Sequence, residues 1–192
     1  MWLYLTLSLL SLAAYPPTEA CSCPKPHLQS ASCNSDFVIM AKFLGNPNED
    51  ESDWIRHGVK VYEAMKGGEE AQKLDVVYSR TQFGCAYRHD THDYTSVYVI
   101  AGKMEDGRAV VDSCSFIKLL HELIAGQVMG IRGTYQQGCD CIIVPCLSGL
   151  CDGSPSSNQC FWDQYGTSTT SQEVNERCAK NEQGNCAWMW AL

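Results

Sequence analysis

The chain has 192 residues, with 22 acidic and 14 basic side chains and a net charge of −8 when histidine is neutral. That balance argues against nucleic acid or an anionic membrane as the main partner, since both recruit proteins through surplus Lys and Arg. The first twenty residues carry an apolar run from Trp2 to Ala14 and no charge before Glu19, too short to cross a bilayer. Ala20, with Thr18 two positions earlier, suits signal peptidase, and Tyr15-Pro16-Pro17 interrupts any helix before it. Residues 1–20 are therefore expected to be a signal peptide, so that a secreted, extracellular protein begins at Cys21. No later run reaches membrane length.

All twelve cysteines follow this segment. An even number in a secreted chain reads as a disulfide framework. Structural zinc is the competing use, but Cys21-x-Cys23 and Cys139-x-Cys141 are tighter than a zinc knuckle, and no His stands at partner spacing. Cys21, Cys23, Cys33, Cys85, Cys114 and Cys139 are widely spread, whereas Cys141, Cys146, Cys151, Cys160, Cys178 and Cys186 are crowded together. The first set spans enough chain to bury a core, while the second needs its crosslinks. A boundary at Asp140 gives domains of 21–139 and 140–192.

In chain order, 36–44 is rich in β-formers and ends at Gly45-Asn46-Pro47; 54–62 follows and closes at Lys66-Gly67-Gly68. Further strands are expected at 74–78, 94–101 and 109–111, the last after an Asp106-Gly107 turn. An apolar helix is expected over 116–124, stopped at Gly126. Five short strands with a flanking helix fit a small Greek-key barrel of the OB type, and a sandwich fits the same signals. The acidic stretch 48–53 reads as a solvated hairpin tip. Phe161-Trp162 and Trp188-Met189-Trp190 sit beside cysteines, as aromatics of a small disulfide core do.

Few residues suggest catalysis. His121-Glu122-Leu123-Ile124-Ala125 begins like a zinc-protease motif, but Ala125 occupies the position of the second ligand. His89-Asp90-Thr91-His92-Asp93 could hold a metal weakly and otherwise reads as an exposed loop. With no nucleophile elbow, P-loop or dinucleotide motif, no enzyme is expected. The amino terminus offers other chemistry. The α-amine of Cys21 titrates near about 7.7 and, with its own carbonyl oxygen, can close a five-membered chelate on a metal. A catalytic zinc keeps one coordination position for water that such a pair could take. Two cysteines here could equally serve only to pin the terminus to the barrel.

Several stretches resemble the tissue inhibitors of metalloproteinases: Cys21-Ser22-Cys23 with Cys33 beyond a Pro- and His-containing stretch, Val99-Ile100-Ala101-Gly102-Lys103, Tyr135-Gln136-Gln137-Gly138-Cys139-Asp140-Cys141, and Cys186-Ala187-Trp188. The resemblance covers the mature chain. It implies a mostly β fold: a five-stranded, netrin-like OB-fold barrel with flanking helices, plus a small disulfide-rich C-terminal domain. It implies the pairs Cys21–Cys85, Cys23–Cys114, Cys33–Cys139, Cys141–Cys186, Cys146–Cys151 and Cys160–Cys178. By the same resemblance the protein inhibits zinc metalloendopeptidases of the matrix type, with disintegrin-type enzymes as a further class, as a monomer binding one to one. Cys21 would supply amine and carbonyl to the enzyme's zinc, Ser22 would enter the S1′ pocket, and Cys23 and Pro24 would lie along the cleft. Gln82, Phe83 and Gly84 would form the second part of the wedge. The implied zinc belongs to the target, and no cofactor of its own is expected. A non-inhibitory binding module acting on a receptor, growth factor or matrix component is the alternative. Lys25, where the family usually has Pro, a short first hairpin and the lack of an acidic tail depart from the pattern, and bear on target preference.

Overall fold

The structure is a computed structural model that describes residues 21, 23, 25–45, 48–50, 53–81, 84–89, 95–146, 151, 153–164 and 169–191. The expected signal peptide lies outside these residues. Among them, no helix is long and apolar enough to cross a membrane.

Five strands close into a barrel. β1 (Phe37–Phe43) lies between β3 (Trp54–Lys66) and β5 (Tyr98–Glu105), antiparallel to both; β4 (Val76–Arg80) pairs antiparallel with β3; and β6 (Arg108–Val110) pairs antiparallel with β5. The circuit closes where β6 meets β4 in parallel at Tyr78 and Val110, backed by a 2.8 Å bond from Val111 N–H to the Tyr78 carbonyl. A closed circuit leaves few free strand edges, which is why short strands suffice. Two strands of the same sheet lie outside the circuit: β2 (Asn48–Asp50) on β3, and β7 (Ile117–Leu119) on β5. The barrel is the expected OB architecture rather than a sandwich.

β3 is longer than the expected 54–62 because it serves two neighbours. Residues up to Gly58 pair with β4, and Val59 onward pairs with β1. β1 and β5 read as continuous apolar runs because both faces are covered. Phe37, Ile39 and Phe43 point into the barrel, and Val38, Val99 and Ala101 pack outward beneath helices. Phe37 and Phe43 are each 1% exposed, and their burial stabilises by roughly 1.5–3 kcal/mol apiece. The β5–β6 turn places Asp106 and Gly107 both at positive φ, 49° and 77°, as a two-residue hairpin of this twist requires.

The covering helices are α1 (Leu28–Asn34) and α3 (Ala125–Arg132), while α2 (Gly68–Gln72) follows β3. The helix expected over 116–124 is not formed. Residues 117–119 are taken by β5 as β7, a short 3-10 turn follows at Leu120–Glu122, and the helix starts at Ala125. Gln127 caps its start, accepting from Ile124 N–H at 3.2 Å. Gly126 thus lies inside the helix, where a Cβ would come within 3.0 Å of the Val174 carbonyl.

The remaining strands form two small ladders: β8 (Ile142–Cys146) parallel to β9 (Gln159–Asp163), and β10 (Glu176–Lys180) antiparallel to β11 (Cys186–Trp190), with α4 (Thr169–Val174) between β9 and β10. Cys141, Cys160, Cys178 and Cys186 are the core here, with Ile143 and Trp188 packed against them. Trp162 is buried, Trp188 donates to the Phe161 carbonyl at 2.8 Å, and Trp190 is 66% exposed. The disulfides are Cys33–Cys139, Cys141–Cys186, Cys146–Cys151, Cys160–Cys178, Cys21–Cys85 and Cys23–Cys114, so none spans Asp140.

Two expected outcomes follow from this packing. His57, 2% exposed, donates through Nε2 to the Tyr87 carbonyl at 3.1 Å, and burial pulls its pKa from 6.5 down to about 4. The unfolded chain therefore takes up this proton at higher pH than the folded one. The stability that neutral His57 contributes is complete above pH 6.5, falls as pH drops towards about 4, and is level below that. Melting temperature measured across this range should show a slope that His57→Gln flattens. Replacing Cys33 and Cys139 together by serine opens a crosslink between residues 106 apart and should cost about 4 kcal/mol in a denaturant titration.

Candidate functional site: the crosslinked amino-terminal edge

Cys21 and Cys23 bind two different loops at one end of the barrel. Cys21 is joined to Cys85 in the β4–β5 connection, and Cys23 to Cys114 in the β6–β7 connection. The sulfurs of Cys21, Cys23 and Cys114 lie within 4.8 Å of one another, so the two crosslinks form a single knot. All three are consumed in disulfides and hold no thiolate for a metal. Cys21 and Cys23 are half-buried and Cys114 is exposed, which leaves the knot at the surface.

Each loop is itself fixed. Asp112 and Ser115 close a tight turn around Cys114: Asp112 Oδ1 accepts from Cys114 N–H and from Ser115 Oγ, both at 2.9 Å, and Ser115 Oγ accepts from Asp112 N–H. This is the Asx-turn chemistry of a short acidic side chain bonding its own backbone two residues on. Ser113 N–H donates to the Cys85 carbonyl at 2.9 Å and Ala86 bridges Asp112, so the two loops also hold each other. On the barrel side, Ser79 Oγ accepts from Tyr87 N–H at 2.7 Å, and the Tyr87 hydroxyl meets His89 Nδ1 at 2.9 Å. His89 is not in an exposed loop as expected: it is 5% exposed and stacked on Phe43 at 3.9 Å between ring centres. Asp90, Thr91, His92 and Asp93 lie outside the described residues.

Of the expected contact residues, Cys21, Cys23 and Gly84 are described, and Gly84 has φ of 68°, a left-handed geometry that favours glycine. Ser22, Pro24, Gln82 and Phe83 lie outside the described residues. The chain entering 82–83 is held at Thr81, whose N–H and Oγ1 both donate to the Asp53 carbonyl at 2.9 Å.

Beyond Cys23 the chain runs into a set of anchors that no sequence motif announces. His27 is 2% exposed and sits among Tyr135, Trp162 and Trp188, with ring centres 5.1 Å from Trp162 and 5.3 Å from Trp188. Its Nδ1 accepts from Gln29 N–H and caps α1, which leaves Nε2 as donor to the Gln172 carbonyl at 3.0 Å. Burial holds this imidazole below its ordinary pKa, opposed by the Gln172 bond and the nearby Glu173 charge. Gln29, 1% exposed, donates from Nε2 to the Cys178 carbonyl at 2.7 Å and accepts at Oε1 from Cys178 N–H at 2.8 Å. Lys25 pairs with Glu173 at 3.1 Å on the surface. The one sequence signal for these anchors is the Pro- and His-containing stretch before Cys33, in which the cap position is taken by His27 and not by Ser, Thr, Asp or Asn.

The sequence of this chain matches the family model described as tissue inhibitor of metalloproteinase over residues 19–188. It is 30% identical over 192 residues to Metalloproteinase inhibitor 3 of Scyliorhinus torazame, covering 97% of this chain and 88% of that protein. It is 32% identical over 203 residues to Metalloproteinase inhibitor 2 of Homo sapiens, covering 97% and 89%, and 31% identical over 195 residues to Metalloproteinase inhibitor 2 of Gallus gallus, covering 95% and 87%. The family is one of inhibitors by its own description, not of enzymes, and the match extends over both crosslinked halves. The chain belongs to the tissue inhibitor of metalloproteinase family.

Proposed function

We propose that this protein is a secreted inhibitor of zinc metalloendopeptidases of the matrix type, and that its working group is the amino terminus exposed when residues 1–20 are removed. The observation that carries this reading is the double crosslink at Cys21 and Cys23, which ties a chain end to two mutually bonded loops. Chain ends normally move freely, and ordering one on binding costs affinity. Here that cost is met by covalent chemistry before the target arrives.

The α-amine and carbonyl of Cys21 would occupy the open coordination position of the target's zinc and displace its water. About half of such amines are neutral near pH 7.7, so the donor pair is available at physiological pH. Ser22 would enter the S1′ pocket, with Cys23 and Pro24 along the cleft. Gln82, Phe83 and Gly84, next to Cys85, would flank it as a second ridge. No peptide bond of the inhibitor sits where the enzyme cleaves, so the complex persists.

Two measurements test the reading. One alanine added before Cys21, or acetylation of the mature terminus, removes the amine donor; the inhibition constant against a matrix metalloproteinase catalytic domain should rise by at least about a hundredfold, the scale of losing one strong polar anchor. Full inhibition by the extended protein would rule out the chelate. Replacing Ser22 by a bulky side chain should reorder inhibition across collagenase-like, gelatinase-like and disintegrin-type enzymes with no change in melting temperature. A uniform loss against every enzyme, together with lower stability, would remove Ser22 from the specificity contact.

A further inference from the structure

β4 ends at Arg80, and the two neighbours of that strand hold its end in different ways. On one side β3 pairs with it to the last residue, placing Arg80 opposite Trp54. Just before Trp54, Asp53 takes a left-handed φ of 62°, and its carbonyl accepts both bonds from Thr81. On the other side the ladder with β6 is a single pair, Tyr78 with Val110. Two residues further on, the contact passes to a side chain. Arg80 donates from Nε and Nη2 to Glu105 Oε2, at 3.3 and 3.0 Å, and so reaches the β5–β6 hairpin.

The same guanidinium lies over the Trp54 ring, 4.4 Å from its centre. Arg108 lies 5.2 Å from that centre and 5.8 Å from the centre of Tyr78, and Arg56 lies 5.9 Å from Tyr78, so cations and rings alternate across β3, β4 and β6. A guanidinium is flat and can stack on an indole while its edge donates to a carboxylate, which an ammonium cannot do at once. Trp54 is only 9% exposed although it is the first residue of its strand. Among the described residues, Arg80 alone of the three arginines also makes an ion pair. It therefore fastens the end of β4, the start of β3 and the β5–β6 hairpin to one another.

From this geometry we propose that Arg80 is a positioning residue for the second ridge of the inhibitory edge. Residues 82–84 join Thr81 to Cys85. Cys85 is fixed by its disulfide and by its bond to Ser113, and the Arg80 stack fixes the other attachment, at Thr81. Fixing both attachments of a short connection leaves it less conformational entropy to lose on binding. That role rests on the inhibitory reading above, and Arg80 plays it through Thr81, not by touching the target.

In the full chain, Arg80→Met keeps the apolar stem and removes the stack and both bonds to Glu105. If about one molecule in five then presents the ridge correctly, the inhibition constant against a matrix metalloproteinase catalytic domain rises about fivefold. Amide exchange at Thr81 and Gly84 in the free protein should quicken by at least about as much. Arg80→Lys keeps a charge for Glu105 without the flat stack and should recover only part of either loss. Arg132→Met is the comparison, because it removes an exposed ion pair of the same kind between α3 and β3, with Nη2 and Nε donating to Glu63 at 2.7 and 3.0 Å. It should leave the inhibition constant and exchange at Thr81 unchanged, whatever it does to the melting temperature. Wild-type inhibition by Arg80→Met, full recovery by Arg80→Lys, or an equal effect from Arg132→Met overturns the proposal. A raised inhibition constant with wild-type exchange at Thr81 makes Arg80 a contact with the target and overturns it too. Should the unmodified protein inhibit no metalloproteinase, the inhibitory reading falls and the ridge role with it, while exchange at Thr81 still decides whether Arg80 fixes the end of β4.

Discussion

Cys21 is held because the β4–β5 and β6–β7 connections meet at one end of the barrel, and much of the local structure serves that meeting. The connections approach each other through the Ala86–Asp112 bridge and the Ser113 to Cys85 bond. They can do so only because β6 pairs with β4 and closes the circuit, which brings two segments distant in sequence to the same rim. Opening the barrel at that single pairing would separate Cys85 from Cys114 and pull the two crosslinks apart. Closure and crosslinking are thus mutually supporting: the barrel sets where the loops are, and the disulfides keep the loops from fraying away from it.

The interior at this rim is unusual in its use of histidine. His57 and His89 pack with Phe43, Tyr87 and Tyr98 where aliphatic side chains would ordinarily stand. The arrangement gives the 85–89 segment directional anchors. A leucine core would fill the volume, but it could not bond the Tyr87 carbonyl or hydroxyl as His57 and His89 do. Directionality matters for a loop that must hold Cys85 in one place. It makes the rim dependent on a neutral His57, whose burial holds its pKa down to about 4, a dependence that an aliphatic core would not have.

The barrel strands could be read from the sequence because β-branched runs and turn residues mark them locally, as at 37–43 and at Asp106-Gly107. The misplacement of the 116–124 helix has a physical cause. Ile117, Lys118 and Leu119 have an apolar pattern that suits either element, and the choice is made by the edge of β5, a non-local partner. α1 has no local signature in the sequence, because its cap is a histidine imidazole held by the Gln172 carbonyl 145 residues away, and no local propensity encodes that. At the candidate site, Cys21 and Cys23 are marked by their spacing, and Gly84 by the resemblance alone. His27 and Gln29 are marked by neither, since a buried amide bonded to a backbone 149 residues away leaves no trace in its own neighbourhood.

With no disulfide spanning Asp140, the two halves are joined by the backbone there and by noncovalent contacts, and those contacts are concentrated on α1, α3 and the turn at 134–138. Such an interface is polar where it is most specific. Gln29, His27 and Gln127 all bond carbonyl oxygens of residues 172–178. Backbone acceptors do not change with side-chain substitution, so this pattern fixes geometry while leaving the surface of the second half free to vary. Side chains such as Trp190, 66% exposed, can then differ without disturbing how the amino-terminal segment is seated. A division of this kind separates the part of the molecule that must keep one shape from the part that can acquire new contacts.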